Sequence, residues 1–137
     1  MNTFQLDIMT PEQQFFTGAV EALTVDASDG ELTVLAGHAP LVASLSVGNI
    51  RLKQNGEWKE AFSSEGFVEV QKQGVVVYVQ ACEWPENIDV VRARESKRRA
   101  EERIRQHRSM HEYKGTQIAL ARAMARLRVT HQKMDMD

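Results

Sequence analysis

Two arginines spaced one helical turn apart near the end of the chain carry its clearest chemical signal. Arg122 and Arg126 lie in a stretch rich in strong helix formers, so a helix would place both guanidinium groups on one face. Like charges at this spacing repel each other unless an anion lies between them, and paired guanidinium groups suit a polyphosphate. The spacing predicts an anion-binding face; solvated arginines, or arginines that bind a partner protein, are the alternatives.

The other reactive side chains form no recognisable catalytic or metal-binding set. His107 and His111 lie one helical turn apart, but no nearby cysteine or well-spaced carboxylate completes a metal site, so we interpret them as part of a solvated helix end or loop. His38 has no accompanying nucleophile motif, which favours a turn or interface residue. Cys82, the single cysteine, is expected to be a small core residue at the end of a strand. The sequence contains neither a catalytic constellation nor a phosphate-binding P-loop, which argues against an enzyme.

The 137 residues divide into two segments of opposite charge. Residues 1–84 contain four Lys/Arg and eleven Asp/Glu, whereas residues 85–137 contain thirteen Lys/Arg and eight Asp/Glu. The length allows one small domain and an appendage, which predicts a boundary near Pro85. No apolar run is long enough to span a bilayer and the start lacks a signal-peptide pattern, so we expect a soluble protein.

Short strands are predicted throughout residues 1–84. Apolar and polar residues alternate in segments separated by turn-forming pairs such as Asn55-Gly56. The segment Val75–Val79 is apolar on both faces, which predicts a strand covered on two sides. We therefore expect an N-terminal antiparallel β-sandwich or flattened barrel. The predicted strands span residues 4–8, 19–25, 31–35, 49–54, 58–62, 67–71 and 75–81.

Residues 85–137 predict a C-terminal two-helix antiparallel hairpin. Asn87 suits the N-cap of a first helix that runs toward Ile104, with Asp89 in its first turn. A polar connection over residues 106–115 leads to a second helix, in which the alanines allow close backbone approach. Because few large side chains are available for burial, rearrangement of this hairpin should cost little. The narrow apolar stripes are Val90, Ala93, Ala100 and Ile104 on the first helix, and Leu120, Met124 and Leu127 on the second.

Four segments, in this order, match a known family. Thr10-Pro11-Glu12 lies near the start, Gly30 to Leu41 contains Gly-His-Ala-Pro-Leu, Ile88 to Ala93 opens the first helix, and Arg126 to Val129 lies in the second. With an acidic sandwich followed by a basic hairpin, the chain resembles the epsilon subunits of bacterial F-type ATP synthases over nearly its whole length. Thr33 and Ala36 replace the usual Gly and Pro, and Ser64-Glu65-Gly66 replaces Ser-Gly-Gly, which changes turn chemistry but not the expected architecture.

The resemblance implies a non-catalytic central-stalk subunit that turns with the rotor. Its sandwich would bind the gamma subunit and the membrane c-ring, and its hairpin would either fold down or extend toward an acidic segment of the catalytic beta subunits and block ATP hydrolysis. The implied location is peripheral, on the cytoplasmic face of the bacterial cell membrane, for a complex that transports protons or sodium. The implied ring and stalk contacts are Glu31, Gly37, His38 and Pro40, and the implied beta-subunit contacts are Arg122, Arg126 and Arg128.

In some bacterial relatives the folded hairpin also binds ATP as a regulatory ligand. The resemblance implies that ATP would favour the folded hairpin here, although Asp89 also suits the first turn of any helix. No other cofactor and no metal is expected. The implied ATP-binding residues are Glu83, Ile88, Asp89, Arg92, Ala93, Arg99, Arg122 and Arg126.

A basic helical hairpin that binds nucleic acid is the alternative class. Basic helices attract phosphate backbones, but Glu95, Glu101 and Glu102 interleave the arginines of the first helix and the sandwich is acidic. The overall field would repel nucleic acid, so we expect none to bind.

Overall fold

The computed structural model describes residues 2–106 and 110–136, which form two compact units that meet between Glu83 and Trp84. In these described residues the first unit contains nine strands, and the second contains a single 3-10 turn, Pro85–Asn87, followed by two helices. The strands are β1 (Phe4–Met9), β2 (Gln14–Val20), β3 (Ala22–Ala27), β4 (Gly30–Leu35), β5 (Leu41–Gln54), β6 (Glu57–Ser63), β7 (Gly66–Gln71), β8 (Gly74–Val79) and β9 (Cys82–Glu83). The helices are α1 (Val90–Arg105) and α2 (Met110–Met136).

The strands form two layers that share the long strand β5. Its first half, Leu41–Leu45, pairs with β7, and its second half, Gly48–Gln54, pairs with β6 and with β3. Layer one therefore has the order β2-β1-β8-β7-β5, and layer two has the order β4-β3-β5-β6-β9. This arrangement is the predicted β-sandwich, and the two helices that follow complete the predicted β-plus-α class.

The core of the first unit lies between the layers. Alternate residues of β1, β7 and β8 are buried, as a period of two requires, whereas β3 is buried along most of its length. The turn between β5 and β6 uses Asn55 and Gly56, whose φ angles are 50° and 78°. These left-handed conformations are those of the predicted tight hairpin turn. The largest fully buried side chains of this unit include Leu6, Ile8, Leu23, Ile50, Leu52 and Phe62.

Three details of the sandwich differ from the sequence predictions. Residues 19–25 are not one strand, because the chain turns the corner between the layers at Glu21, whose N–H donates to the Lys53 carbonyl at 2.8 Å. The pair β1–β8 is parallel, whereas every pair was predicted to be antiparallel. In β8 only one face is fully buried, because Tyr78 is 41% exposed. The alternation of apolar and polar residues predicts a strand, but it does not predict which strand pairs with it or which layer covers it.

The helical unit has a core of small side chains. Helices α1 and α2 pack against each other, and the buried residues of α1 are Ala93 and Ala100, as the predicted stripe requires. Among the described side chains of α2, the buried apolar ones are Ala123, Ala125 and Val129. The predicted apolar face of α2 is wrong at Met124, which is 44% exposed, whereas Leu120 and Leu127 are half-buried. Alanine on both helices lets the backbones approach closely, and a long methionine would hold them apart.

The boundaries of the two helices also differ from the prediction. Asp89, not Asn87, is the N-cap of α1, because its Oδ1 accepts a hydrogen bond from the Arg92 N–H at 3.0 Å. Asn87 instead closes the 3-10 turn by donating its N–H to the Trp84 carbonyl at 3.0 Å. Helix α2 begins at Met110, so Gly115, predicted to lie in a polar connection, is inside the helix.

Candidate functional site

The residues predicted to contact the ring and stalk lie at opposite ends of strand β4. Glu31 is the second residue of β4, beside the turn that follows β3, whereas Gly37, His38 and Pro40 lie beyond its last residue, Leu35. Four residue steps of extended chain from Glu31 to Leu35 span about 13 Å. The structure therefore divides the predicted contact set into two separate places on the sandwich.

The loop after β4 is closed by local hydrogen bonds. The His38 N–H donates to the Leu35 carbonyl at 3.1 Å, and Nδ1 of His38 lies 2.7 Å from the Ala39 carbonyl oxygen. Gly37 has φ 83°, a conformation that favours glycine. These bonds hold His38 half-buried in a turn, which is the role predicted for it over catalysis.

Beside Glu31, an arginine that the sequence analysis did not single out joins two carboxylates. Nη2 of Arg51 lies 3.0 Å from Oε2 of Glu31 and 3.5 Å from Oδ1 of Asp26. Glu31 is the outermost group, with 64% of its side chain exposed against 28% for Arg51. Arg51 is one of four basic residues in this acidic segment, and only the strand register places it beside both carboxylates.

A second feature missed from the sequence is an apolar patch on the outer face of layer one. We define the apolar patch as Val42, Phe67 and Tyr78, which are 69%, 43% and 41% exposed. The rings of Phe67 and Tyr78 stack with centroids 4.9 Å apart. Exposed apolar groups gathered on one sheet face are typical of a protein–protein interface. No strand was predicted at Val42, and Tyr78 was expected to be covered, so only the strand register shows that these side chains share an exposed face.

The predicted ATP-binding residues divide between the two units. Glu83 is the last residue of β9 in the sandwich, and the remaining seven lie in the helical unit. In the opening of α1, Ile88 and Ala93 are buried, whereas the side chains of Asp89 and Arg92 are exposed. One oxygen of Asp89 is already used as the helix cap, so any role in ligand binding must be shared with capping.

The arginines of the predicted sites do not all lie on one surface. Arg122 and Arg126 lie on one side of α2 and are half-buried, as their four-residue spacing predicts. Arg128 is exposed and lies about 200° around the helix from Arg126, since each residue turns the helix by about 100°. Arg99 is exposed on α1. Arg122 and Arg126 thus share one side of α2, and Arg128 lies on another.

Acidic side chains neutralise part of the basic surface of α1. Arg98 lies 2.6 Å from a carboxylate oxygen of Glu95 and 3.3 Å from one of Glu102. The hydrogen bond and charge of Arg98 lower the pKa of Glu95, so this carboxylate stays ionised at neutral pH. This intrahelical pairing weighs against the nucleic-acid alternative, because it leaves less unpaired positive charge for phosphates.

Cys82 is a buried core residue, as predicted. It is 7% exposed in β9, and burial, together with the nearby charge of Glu83, raises its pKa to about 12. The thiol is therefore protonated at neutral pH and is a poor nucleophile. Among the described residues no group of histidine, cysteine and carboxylate side chains could hold a metal ion, and His107 lies outside those residues, as does the side chain of His111. None of the helices in the described part of the chain is long and apolar enough to cross a membrane.

The two units match two consecutive family descriptions. Residues 3–85 match "ATP synthase, Delta/Epsilon chain, beta-sandwich domain", and residues 86–131 match "ATP synthase, Delta/Epsilon chain, long alpha-helix domain". A sandwich followed by a packed helix pair, matched in this order, defines an ATP synthase subunit of the delta/epsilon class. The chain belongs to the ATP synthase delta/epsilon chain family.

Curated relatives cover the chain from end to end. An ATP synthase epsilon chain of Ruminiclostridium cellulolyticum is 45% identical over 97% of this chain and 99% of its own length. The corresponding chains of Caldanaerobacter subterraneus subsp. tengcongensis and Caldicellulosiruptor saccharolyticus are 42% and 40% identical over 98% and 100% of this chain, and over 98% and 100% of their own lengths. The resemblance of the sequence to ATP synthase epsilon subunits is therefore confirmed.

Solved structures share the fold at low sequence identity. A chain in the cryo-EM structure of Euglena gracilis mitochondrial ATP synthase, OSCP/F1/c-ring in rotational state 1, superposes with a TM-score of 0.79, 22% identity, and coverage of 90% of this chain and 78% of that one. A chain in the Tetrahymena thermophila mitochondrial ATP synthase central stalk/c-ring structure gives 0.63 and 11%, covering 94% of this chain and 97% of that one. At these identities the likeness is one of fold.

Proposed function

We propose that this chain is a non-catalytic rotor subunit of a bacterial F-type ATP synthase, in which it joins the gamma subunit to the membrane c-ring. The observation that carries the proposal is the match of both units, in order, to the sandwich and helical domains of the delta/epsilon family. The proposed location is the cytoplasmic face of the bacterial membrane, where the chain contacts the membrane only through the complex. The transported ion is a proton or sodium, chosen by the ring.

The apolar patch is the proposed docking surface for gamma. Its stacked rings, Phe67 and Tyr78, and the neighbouring Val42 provide exposed apolar side chains on one outer face of the sandwich. Burial of such side chains is what stabilises a permanent subunit contact. The loop that carries Gly37, His38 and Pro40 leads directly into Val42, so this loop is proposed to border the same interface. Glu31, at the other end of β4, is then the proposed contact with the ring.

The gamma contact predicts that a charge placed in the apolar patch will prevent docking. Phe67→Glu is expected to weaken binding of the full chain to the purified gamma subunit by about tenfold or more, because a buried unpaired carboxylate must be desolvated. Trp58→Glu is the matched control: Trp58 is a similarly exposed aromatic residue, 50% exposed, on β6 in layer two. Isothermal titration of gamma with each folded variant measures the difference. Equal losses for both variants, or unchanged binding of Phe67→Glu, would reject this surface.

The helical unit is the proposed inhibitory element. Its small buried side chains make separation of the helices inexpensive, and its excess of basic residues suits the acidic segment of a beta subunit. The proposed contacts are Arg122 and Arg126 on one side of α2 and Arg128 on the other, so an extended α2 would have to present two sides to its surroundings.

ATP is proposed as a regulatory ligand that favours the folded hairpin. The half-buried pair Arg122 and Arg126 would hold phosphates, joined by Arg92 and Arg99, while Ile88 and Ala93 would line the apolar side of the base. Asp89 and Glu83 would face the polar edge of the adenine. A ligand that binds only the folded state shifts the equilibrium by its differential affinity, without being hydrolysed.

The proposed ATP site predicts a ligand-dependent melting temperature. At ten times the dissociation constant, ATP should stabilise the chain by about 1.4 kcal/mol, or about 3–5 °C in melting temperature. Arg126→Ala should abolish the shift, and Arg128→Ala, an exposed arginine on the other side of α2, should preserve it. Thermal unfolding followed by circular dichroism at millimolar ATP measures this. An unshifted wild-type melting curve would reject the ATP site and leave the rotor assignment untouched.

A further inference from the structure

Asp26, Glu31 and Arg51 lie together on the outer face of layer two, where the register of strands β3 and β4 places two negative charges opposite each other. Asp26 and Glu31 are direct register partners, so two like charges lie opposite each other. Such cross-strand pairs are destabilising unless a cation lies between them. Arg51, from β5, supplies that cation through a single nitrogen, Nη2, at 3.0 Å from Glu31 and 3.5 Å from Asp26.

The inner end of this cluster is fixed by the backbone. Oδ2 of Asp26 accepts a hydrogen bond from the Asn49 N–H at 3.0 Å. Gly48 makes room for that carboxylate, because a Cβ at residue 48 would overlap it. Asp26 is therefore held through Oδ2, while its other oxygen, Oδ1, faces Arg51.

The outer end is accessible. Glu31 has 64% of its side chain exposed, about twice the exposure of Asp26 at 33%, although Arg51 holds one of its oxygens. An exposed glutamate normally samples several rotamers, and ordering it when a partner binds costs free energy. A glutamate already held in place avoids much of this cost.

We propose that Arg51 is a positioning residue that holds the Glu31 carboxylate in the orientation in which it binds a basic side chain of the membrane ring. The proposal rests on the ring contact of the proposed function. A basic partner is favoured because the β3–β4 turn adds the exposed Asp29 and β6 places Glu60 opposite Arg51, so that four carboxylates outweigh one guanidinium on this part of the sandwich.

The test measures how much Arg51 contributes through Glu31. The full chain, bound to its gamma subunit, is titrated with the detergent-solubilised membrane ring, and the dissociation constant is measured for wild type, Arg51→Met, Glu31→Gln and the double variant. In the wild-type background, Arg51→Met should weaken ring binding about tenfold, which is within the range of coupling for residues in contact. In the Glu31→Gln background, the same substitution should weaken ring binding by less than about twofold. Arg51→Lys should recover most of the affinity, because one nitrogen bridges both carboxylates in the wild type.

Lys53→Met is the control for loss of one positive charge on the same strand. Lys53 lies two residues from Arg51, faces the same side and packs over the Trp58 ring instead of the carboxylates. The Lys53→Met variant should bind the membrane ring with the affinity of the wild type. If Arg51→Met does not fold, Arg51→Gln, which keeps a donor amide without the charge, gives the same comparison.

The outcomes separate this inference from the function on which it rests. If the wild-type complex does not bind the ring, the ring contact of the proposed function is wrong. If it binds and Arg51→Met weakens binding equally in the wild-type and Glu31→Gln backgrounds, Arg51 acts through general structure and the positioning role is overturned. A loss that depends on Glu31 and is restored by lysine supports it.

Discussion

A chain that ends at Trp84 is expected to bind the rotor of its ATP synthase as tightly as the full chain and to leave ATP hydrolysis uninhibited. The full chain, added to the same enzyme prepared without it, should lower the hydrolysis rate by about tenfold, within the usual range of coupling between sites. The physical reason is the separation of the two units, which divide next to Trp84. The apolar patch, proposed to bind gamma, remains on the shortened chain.

Two further measurements make this result specific. A binding assay with gamma shows whether the shortened chain is folded and docked, so that lost inhibition is not lost binding. Full chains in which Arg122, Arg126 and Arg128 are replaced together by alanine should inhibit less than wild type, since α2 keeps its length but loses three positive charges. Equal inhibition by the shortened and full chains would place the inhibitory element in the sandwich and contradict the proposal.

Gly66→Ala is expected to be the most destabilising single-methyl substitution in the sandwich. Gly66 lies in β7 between β5 and β8, and a Cβ there would overlap the Tyr78 carbonyl and approach the Val79 Cα to 2.8 Å. Both obstacles are backbone atoms of a paired strand, so no side-chain rotation relieves them. We expect a loss of about 3 kcal/mol or more in the free energy of unfolding, at the upper end of overpacking effects.

Gly18→Ala is the control for this substitution. Its added Cβ would lie 3.4 Å from the Phe16 ring, an ordinary contact, on the edge strand β2. Urea unfolding should show a change below about 1 kcal/mol for Gly18→Ala, as for most substitutions that create no clash. Similar midpoints for the two variants would mean that β7 and β8 can move apart, contrary to the register described.

Alternation along the strands was enough to predict the class of the sandwich but not its corners. The run 19–25 reads as one strand because nothing in its pattern distinguishes Glu21, whose role as a corner is set by the hydrogen bond to Lys53 in another strand. The first half of β5 was missed for a related reason: that strand changes layers, and its partners change with it. The period-two pattern of one segment does not determine which distant strand it pairs with.

The candidate sites were predictable where a local rule decides and not where register decides. The shared side of Arg122 and Arg126 follows from helical spacing alone. The cap of α1 was placed two residues early because Asn87 and Asp89 are both good N-caps, and Pro85 commits Asn87 to a 3-10 turn. Glu31 and His38 were grouped because the resemblance implies contacts for both, and only the structure shows that an extended strand separates them.

The parallel pairing of β1 with β8 governs when the sandwich can form during translation. Leu6 pairs with Val75, so the first strand lacks one of its neighbours until nearly the whole sandwich has been synthesised. A hairpin of β1 and β2 can form earlier, but an isolated hairpin is marginally stable in water. The nascent chain therefore exposes the apolar side chains of Leu6 and Ile8 until β8 leaves the ribosome. During this interval these side chains are available for chaperones to bind.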